Sequence, residues 1–205
     1  MNHQEFLNHP DTEFENEKCK HLELPDHRFI ANDFINCTFD ECNFYQSTFD
    51  ECTFQHCNFN NCNLSLVKIP RCQFNEIGFN HSKIIGIDWT TVNWKKSLYK
   101  KSFPLEFVGC IINYSIFAGI NLTRLKFMNC TAKEVYFDDA NLSYADFNGT
   151  DLTDSVFRNT NLIGADFSKA KNYSIDVTIN KIGKAKFAFP EALSLIYTLD
   201  IDIVE

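Results

Sequence analysis

Apolar positions recur along this chain with a period of five. Counting by fives from Leu24 gives Phe29, Phe34, Phe39, Phe44, Phe49, Phe54, Phe59, Leu64, Ile69, Phe74, Phe79, Ile84, Trp89, Trp94 and Tyr99, every one apolar or aromatic. After a slip of three residues the count resumes with Phe107, Ile112, Phe117, Leu122, Phe127, Ala132, Phe137, Leu142, Phe147, Leu152, Phe157, Leu162 and Phe167. Two residues before each of these centres stands a second, usually small residue, Cys37, Ser47, Cys62, Cys130, Thr150 and Ala165 among them, and eight of the nine cysteines occupy that position. A period of five matches neither the 3.6 of a helix nor the 2.0 of a strand, so a flat sheet or an amphipathic helix would turn the centres through every direction. Two inward residues separated by one outward residue suit a very short extended segment, and the other two positions turn a corner. The chain must coil.

The number of sides follows from the chemistry of the centres. From Phe117 to Phe167 they alternate Phe with Leu, Ala132 excepted, so the pattern repeats every ten residues and an even number of faces keeps each vertical column uniform. Three faces would mix Phe with Leu in every column. The reading is all-β: a right-handed quadrilateral β-helix of about seven coils, stacked at about 4.8 Å, with a short C-terminal helix and strand module. Its expected divisions are an N-terminal cap over 1–28, the repeat over 29–170 with a register slip near 100–106, and a capping or dimerisation segment over 171–205.

The repeat is most regular in ADFNGTDLTDSVFRNTNLIGADFSKA, from Ala145 to Ala170. That run resembles the pentapeptide-repeat family, whose consensus is a small residue, Asp or Asn, Leu or Phe, a polar residue and a variable one. The resemblance covers about Phe14 to Ala170. It implies the right-handed quadrilateral β-helix, and in layout the chain is similar to Qnr-type and other gyrase-interacting members. For those members it implies a non-enzymatic protein that imitates DNA, binds DNA gyrase or topoisomerase IV, and modulates the enzyme or protects it from quinolones or toxins. The alternative is a general protein-interaction scaffold with an unrelated partner.

Past Ala170 the pattern stops. Pro190 and Glu191 suit a helix's first turn, Leu193, Ile196 and Leu199 fall on one face, and Asp200 to Ile203 alternate like a strand. A solenoid must close its open end, so this segment either caps the rod or pairs two rods. The family resemblance implies pairing, which makes Phe187, Phe189, Leu193, Ile196, Leu199, Ile201 and Ile203 candidate homodimer contacts.

Composition narrows the function further. The 205 residues are 44% apolar, ample for a core, and contain 21 Phe against 2 Trp. The formal charge of −8 disfavours a broad nucleic-acid-binding surface. Residues 1–66 hold three basic and twelve acidic groups, whereas 68–101 hold seven basic groups, including Lys68, Arg71, Lys83 and Lys101, against two acids. The candidate partner-binding surface is acidic: Asp33, Asp40, Glu41, Asp50 and Glu51 in the first half, then Asp138, Asp139, Asp146, Asp151, Asp154 and Asp166. Asp146 and Asp166 are twenty apart and should share a face. Set against this, duplex DNA carries one charge per about 1.7 Å, so the imitation is partial, and the slip at Lys100 to Pro104 offers little of the long loops found in several Qnr-type proteins.

No Cys-x-x-Cys pair appears, and thiols twenty apart, such as Cys42 and Cys62, should stack. They read as reduced, buried space-fillers. His56 and His81 point outward, away from the cysteines, and no phosphate-binding glycine motif or nucleophile elbow is present. The expectation is therefore no enzyme, no catalytic residue, no cofactor and no metal. The absence of an apolar window long enough to span a bilayer, and of a signal-like start, points to the cytoplasm and to no membrane partner.

Overall fold

The computed structural model describes residues 1, 3–7, 12–94, 105–199 and 201. The expected fold is the one observed: a parallel β-solenoid with four sides, built from strands of three or four residues such as Asp33–Ile35, Thr53–Gln55 and Lys126–Met128. Each strand pairs in parallel with the strand one coil away. On the first face Phe14, Phe34, Phe54 and Phe74 form one column. On the second, Cys19, Phe39, Phe59, Phe79, Phe107 and Phe127 are in register, and bridges at Asp146, Asp166 and Lys186 continue the ladder. Leu24, Phe44, Leu64 and Ile84 define the third face, and Phe29, Phe49, Ile69 and Trp89 the fourth. Ladder pairing thus takes in Phe14 and Cys19 on one side and Lys181 and Lys186 on the other.

The five-residue unit now has a physical meaning at each position. The centre points inward, and centres of one column stack: Phe34 on Phe54 at 4.9 Å, Phe39 on Phe59 at 4.8 Å, Phe147 on Phe167 at 4.7 Å. Rings of neighbouring faces meet edge to face, as Phe137 meets Phe147 at 6.0 Å, so both favourable aromatic geometries are used throughout. Two residues after the centre the backbone takes a positive φ to turn the corner: Asn16, His21, Asp26, Asn36, Glu41 and onward through Asn159. That conformation costs a side-chain-bearing residue about 1–2 kcal/mol, and Asn, Asp and His, which tolerate it best, recur there together with Gly86, Gly109, Gly119, Gly149 and Gly164. At Gly149 a Cβ would also crowd Asn129 Oδ1, so that side chain would have to shift.

The small residue two before the centre does more than fill space. Its thiol or hydroxyl donates to the carbonyl of a centre in the adjacent coil: Cys57 to Phe34 at 3.2 Å, Cys62 to Phe39 at 3.3 Å, Ser82 to Phe59 at 3.1 Å, Thr160 to Phe137 at 2.9 Å. It also accepts a backbone N–H, as Ser82 Oγ does from Cys62 at 2.9 Å. The coils are therefore joined by side-chain bridges inside the core as well as by the backbone ladder.

One sequence expectation is corrected. Phe79 pairs directly with Phe107, twenty-eight residues on, so the insertion is eight residues long rather than three, and no rung stands between them. Tyr99 satisfies the period by coincidence of spacing. Tyr99, the segment Lys100 to Pro104, and Lys95, Lys96 and Lys101 of the basic stretch lie outside the described residues.

The ends differ. At the N-terminus α1 (His3–Leu7) lays Phe6 on Phe14 at 4.8 Å and so covers the first coil. At the C-terminus Phe187 stacks on Phe167 at 5.2 Å, followed by α2 (Leu193–Ile196). The helix is shorter than the Leu193–Leu199 face read from the sequence, and Leu195 rather than that face packs against the core.

Candidate functional site

The eleven candidate carboxylates are distributed over all four faces. Asp33 belongs to the first face; Asp40, Glu41, Asp146 and Asp166 to the second side; Asp151 and Asp154 to the third; Asp50, Glu51, Asp138 and Asp139 to the fourth. Asp146 and Asp166 are bridge partners, as their spacing requires. The solenoid brings Asp50 and Glu51 together with Arg71, which bonds Asp50 and holds Glu51 at 2.8 Å, while Arg28 meets Asp50 at 3.1 Å.

Cations from neighbouring coils answer several of the other candidates. Lys20 lies 3.8 Å from Asp40, His21 3.5 Å from Glu41, Lys133 3.4 Å from Asp151 and Lys186 3.1 Å from Asp166. Asp33, Asp138, Asp139, Asp146 and Asp154 make no ion pair among the described residues. The sequence reading missed these pairs, although many partners are twenty residues apart and the repeat itself could have found them. Of the basic stretch, Arg71 is committed to Asp50 and Glu51, Lys68 sits on the fourth face, and Lys83 on the third.

Hydrogen bonding decides the ionisation of Asp151. Burial pushes its carboxyl up, but bonds from Asn172, Thr153 and Lys133 outweigh that and hold it down at about 2. A carboxylate depressed in the folded state contributes stability above its unfolded value and loses it as pH falls. Unfolding free energies from pH 6 to pH 2 should therefore show the difference between Asp151→Asn and the wild type full above about pH 5, shrinking below about pH 4 and nearly closed only at about pH 2. A constant difference across that range would mean the carboxylate charge is not what Asp151 supplies.

All nine cysteines are free and buried. Burial pushes the Cys19 thiol up to about 12. Cys57, Cys62, Cys72 and Cys130 are raised first by the hydrogen bond to the thiol stacked on each and then by burial. The same hydrogen bond lowers the partner thiols Cys37, Cys42, Cys52 and Cys110, but all nine are buried beyond the reach of a reagent, so an aromatic disulfide should leave the native protein unlabelled and titrate all nine thiols in guanidinium. Rapid labelling of one native thiol would contradict this. Among the described residues no three His, Cys, Asp or Glu side chains are placed to hold a metal ion. His56 is occupied by Glu76 at 2.9 Å.

At the C-terminal end, Phe189 is 80% exposed, and Leu193, Leu199 and Ile201 are exposed too, while Phe187 continues the core stack. Ile196 is half-buried, and Ile203 lies outside the described residues. No helix among the described residues is long and apolar enough to cross a membrane.

Comparison with known proteins agrees with the coil. Residues 32–103 match the model of a pentapeptide repeat region, and residues 136–171 match pentapeptide repeats in eight copies. The chain belongs to the pentapeptide repeat family. By sequence, no curated protein matches it. Among solved structures it is similar to two trypsin-treated variants of QnrB1, a plasmid-mediated fluoroquinolone resistance protein. The first is 17% identical with a TM-score of 0.61, covering 94% of this chain and 90% of that one. The second is 16% identical, also at 0.61, covering 92% and 100%. At these identities the likeness is one of fold.

Proposed function

We propose that this protein is a non-enzymatic, protein-binding rod of the cytoplasm whose partner is a type II topoisomerase, DNA gyrase or topoisomerase IV, which it modulates or protects from quinolones or toxins. The observation that carries the reading is the fold, shared over nearly the whole chain with a fluoroquinolone resistance protein. The unpaired carboxylates Asp33, Asp138, Asp139, Asp146 and Asp154 give it acidic groups to present to a saddle of Lys and Arg. Direct nucleic-acid binding is not part of the proposal, because a net −8 opposes it. The exposed apolar residues Phe189, Leu193, Leu199 and Ile201 support end-to-end pairing of two copies.

A second reading, a scaffold for an unrelated protein, is favoured by one observation: the ion pairs on Asp40, Asp50, Glu51, Asp151 and Asp166 dilute the negative charge. Rungs repeat at about 4.8 Å, so even a carboxylate on every rung of one column falls well short of DNA's one charge per about 1.7 Å. The test is a gyrase supercoiling assay with titrated protein, with and without a fluoroquinolone, at two salt concentrations. Inhibition or drug rescue that fades as salt rises supports the topoisomerase reading. No effect on gyrase, nor on topoisomerase IV in a matching decatenation assay, transfers support to the scaffold.

A further inference from the structure

The corner between the third and fourth faces is unlike the other three. Its positive-φ residues, in order, are Asp26, Gln46, Leu66, Gly86, Tyr114, Glu134 and Asp154. They stack directly, each corner N–H donating to the carbonyl just before the next corner: Asp26 to Tyr45, Leu66 to Ile85, Gly86 to Asn113, Glu134 to Thr153. The column thus reads acid, then Gln46, then the apolar stretch of Leu66, Gly86 and Tyr114, then two acids. Each of the other corners mixes the two signs or carries His, Arg or Lys, as at His21, Arg71 and Arg124.

The apolar middle is exposed: Leu66 by 42% and Tyr114 by 53%. Ile111 on the third face and Tyr136 on the fourth flank it and are exposed as well. Outward positions elsewhere on the coils are mostly Asn, Asp, Thr or Lys, so this concentration is not the default of the repeat. Gly86 adds a hollow. Leu66 leans across it, within 2.8 Å of where a Cβ would stand, and an open groove of about 660 Å³ covers the part of the corner from Asp26 to Gly86. The groove is lined by Asp26, Gln46, Leu66 and Gly86 together with Asp88 and one cation, Lys68. Asp88 commits one carboxylate oxygen to Thr90.

We infer that this corner is a docking surface for a segment of another protein that carries apolar side chains at its middle and Lys or Arg at both ends. The charge order selects that chemistry: Asp26 stands at one end and Glu134 and Asp154 at the other, with the hollow, the exposed Leu66 and Tyr114, and one charge of each sign, Lys68 and Asp88, between them. From Asp26 to Glu134 the column climbs five steps, about 24 Å, which is the length of a helix of about sixteen residues. Such a segment gains burial of apolar area from the middle and orientation from its charged ends. This surface goes beyond the topoisomerase reading and does not depend on it.

The probe is a fluorescein-labelled peptide of about eighteen residues with Lys and Arg at both ends and Leu and Ala between. Controls carry Glu at the ends or Ser in the middle. Fluorescence anisotropy is read against the full-length protein, and melting curves confirm that each variant is folded. Wild type should bind the first peptide and neither control. Leu66→Ser with Tyr114→Ser, and separately Asp26→Asn with Glu134→Gln, should each weaken binding by about fivefold or more. Asp33→Asn with Asp139→Asn, which removes the same charge elsewhere, should leave binding within about twofold. The proposal is overturned if wild type does not bind, or if the distant pair weakens binding as much as the corner pairs. It is equally overturned if Leu66→Ser with Tyr114→Ser turns a sedimenting dimer into a monomer, since the surface then belongs to a second copy. None of these outcomes bears on the supercoiling assay, so the two readings fail separately.

Discussion

Phe147→Asp should unfold the coils around it. Phe147 is fully buried, stacked on Phe167 at 4.7 Å, 5.8 Å from Phe127, and met edge-on by Phe137 and Phe157 at 6.0 and 6.2 Å. Replacing the ring removes contacts worth about 3–5 kcal/mol, and the carboxylate adds a desolvation penalty of several more. No cation or donor side chain faces the site from within the column, so nothing offsets that penalty. Phe147→Leu should behave quite differently. The first and third faces already carry Leu142, Leu152 and Leu162 at the same kind of position, and the expected loss is about 1–2 kcal/mol. Circular dichroism and hydrogen exchange would separate the two. Loss of protection confined to coils bordering Phe147 in the Asp variant is expected, because each coil contacts only its neighbours. An Asp variant as stable as the Leu variant would mean the ring does not point inward.

The same reasoning explains how much of the molecule was legible beforehand. Each centre meets the same surroundings, so a single inward requirement is written many times, and an even number of faces follows from the alternation of Phe and Leu. The insertion was misjudged because Tyr99 stands five residues after Trp94 and satisfies the pattern, whereas only the pairing of Phe79 with Phe107 fixes the true register. The short C-terminal helix was overextended because Leu193, Ile196 and Leu199 have helical spacing, while packing is carried by Leu195. The candidate surface was the least legible part. Asp40, Glu51 and Asp166 look like free negative charge in a linear reading, yet Lys20, Arg71 and Lys186 each lie one coil away. The charge a partner meets is a property of columns, and columns are set by residues twenty apart. The exposed corner from Asp26 to Asp154 is visible only in that projection.

Thr150→Val should be nearly as damaging as a small cavity in the core, although it conserves shape. Thr150 is fully buried, and its Oγ1 donates to Phe127 O at 2.5 Å while accepting the Cys130 N–H at 3.2 Å. Valine removes both bonds and leaves that buried donor and acceptor without the bridge, at about 1–3 kcal/mol each. A loss of about 2–4 kcal/mol is therefore expected, seen as a lower urea midpoint with an unchanged slope. Thr150→Ser keeps the hydroxyl and loses one methyl, which should cost about 1 kcal/mol. The comparison tests why the repeat places Cys, Ser and Thr before so many centres. Cys42, Cys62, Ser82, Cys110, Cys130 and Thr150 form one buried column on the third side, and successive members link coil to coil through Cys42 N–H to Cys62 Sγ, Cys62 N–H to Ser82 Oγ and Cys110 N–H to Cys130 Sγ. If that column holds the coils together by hydrogen bonding, serine must outperform valine at Thr150. If the two variants lose the same stability, the position selects for volume alone, and the cysteines return to being space-fillers.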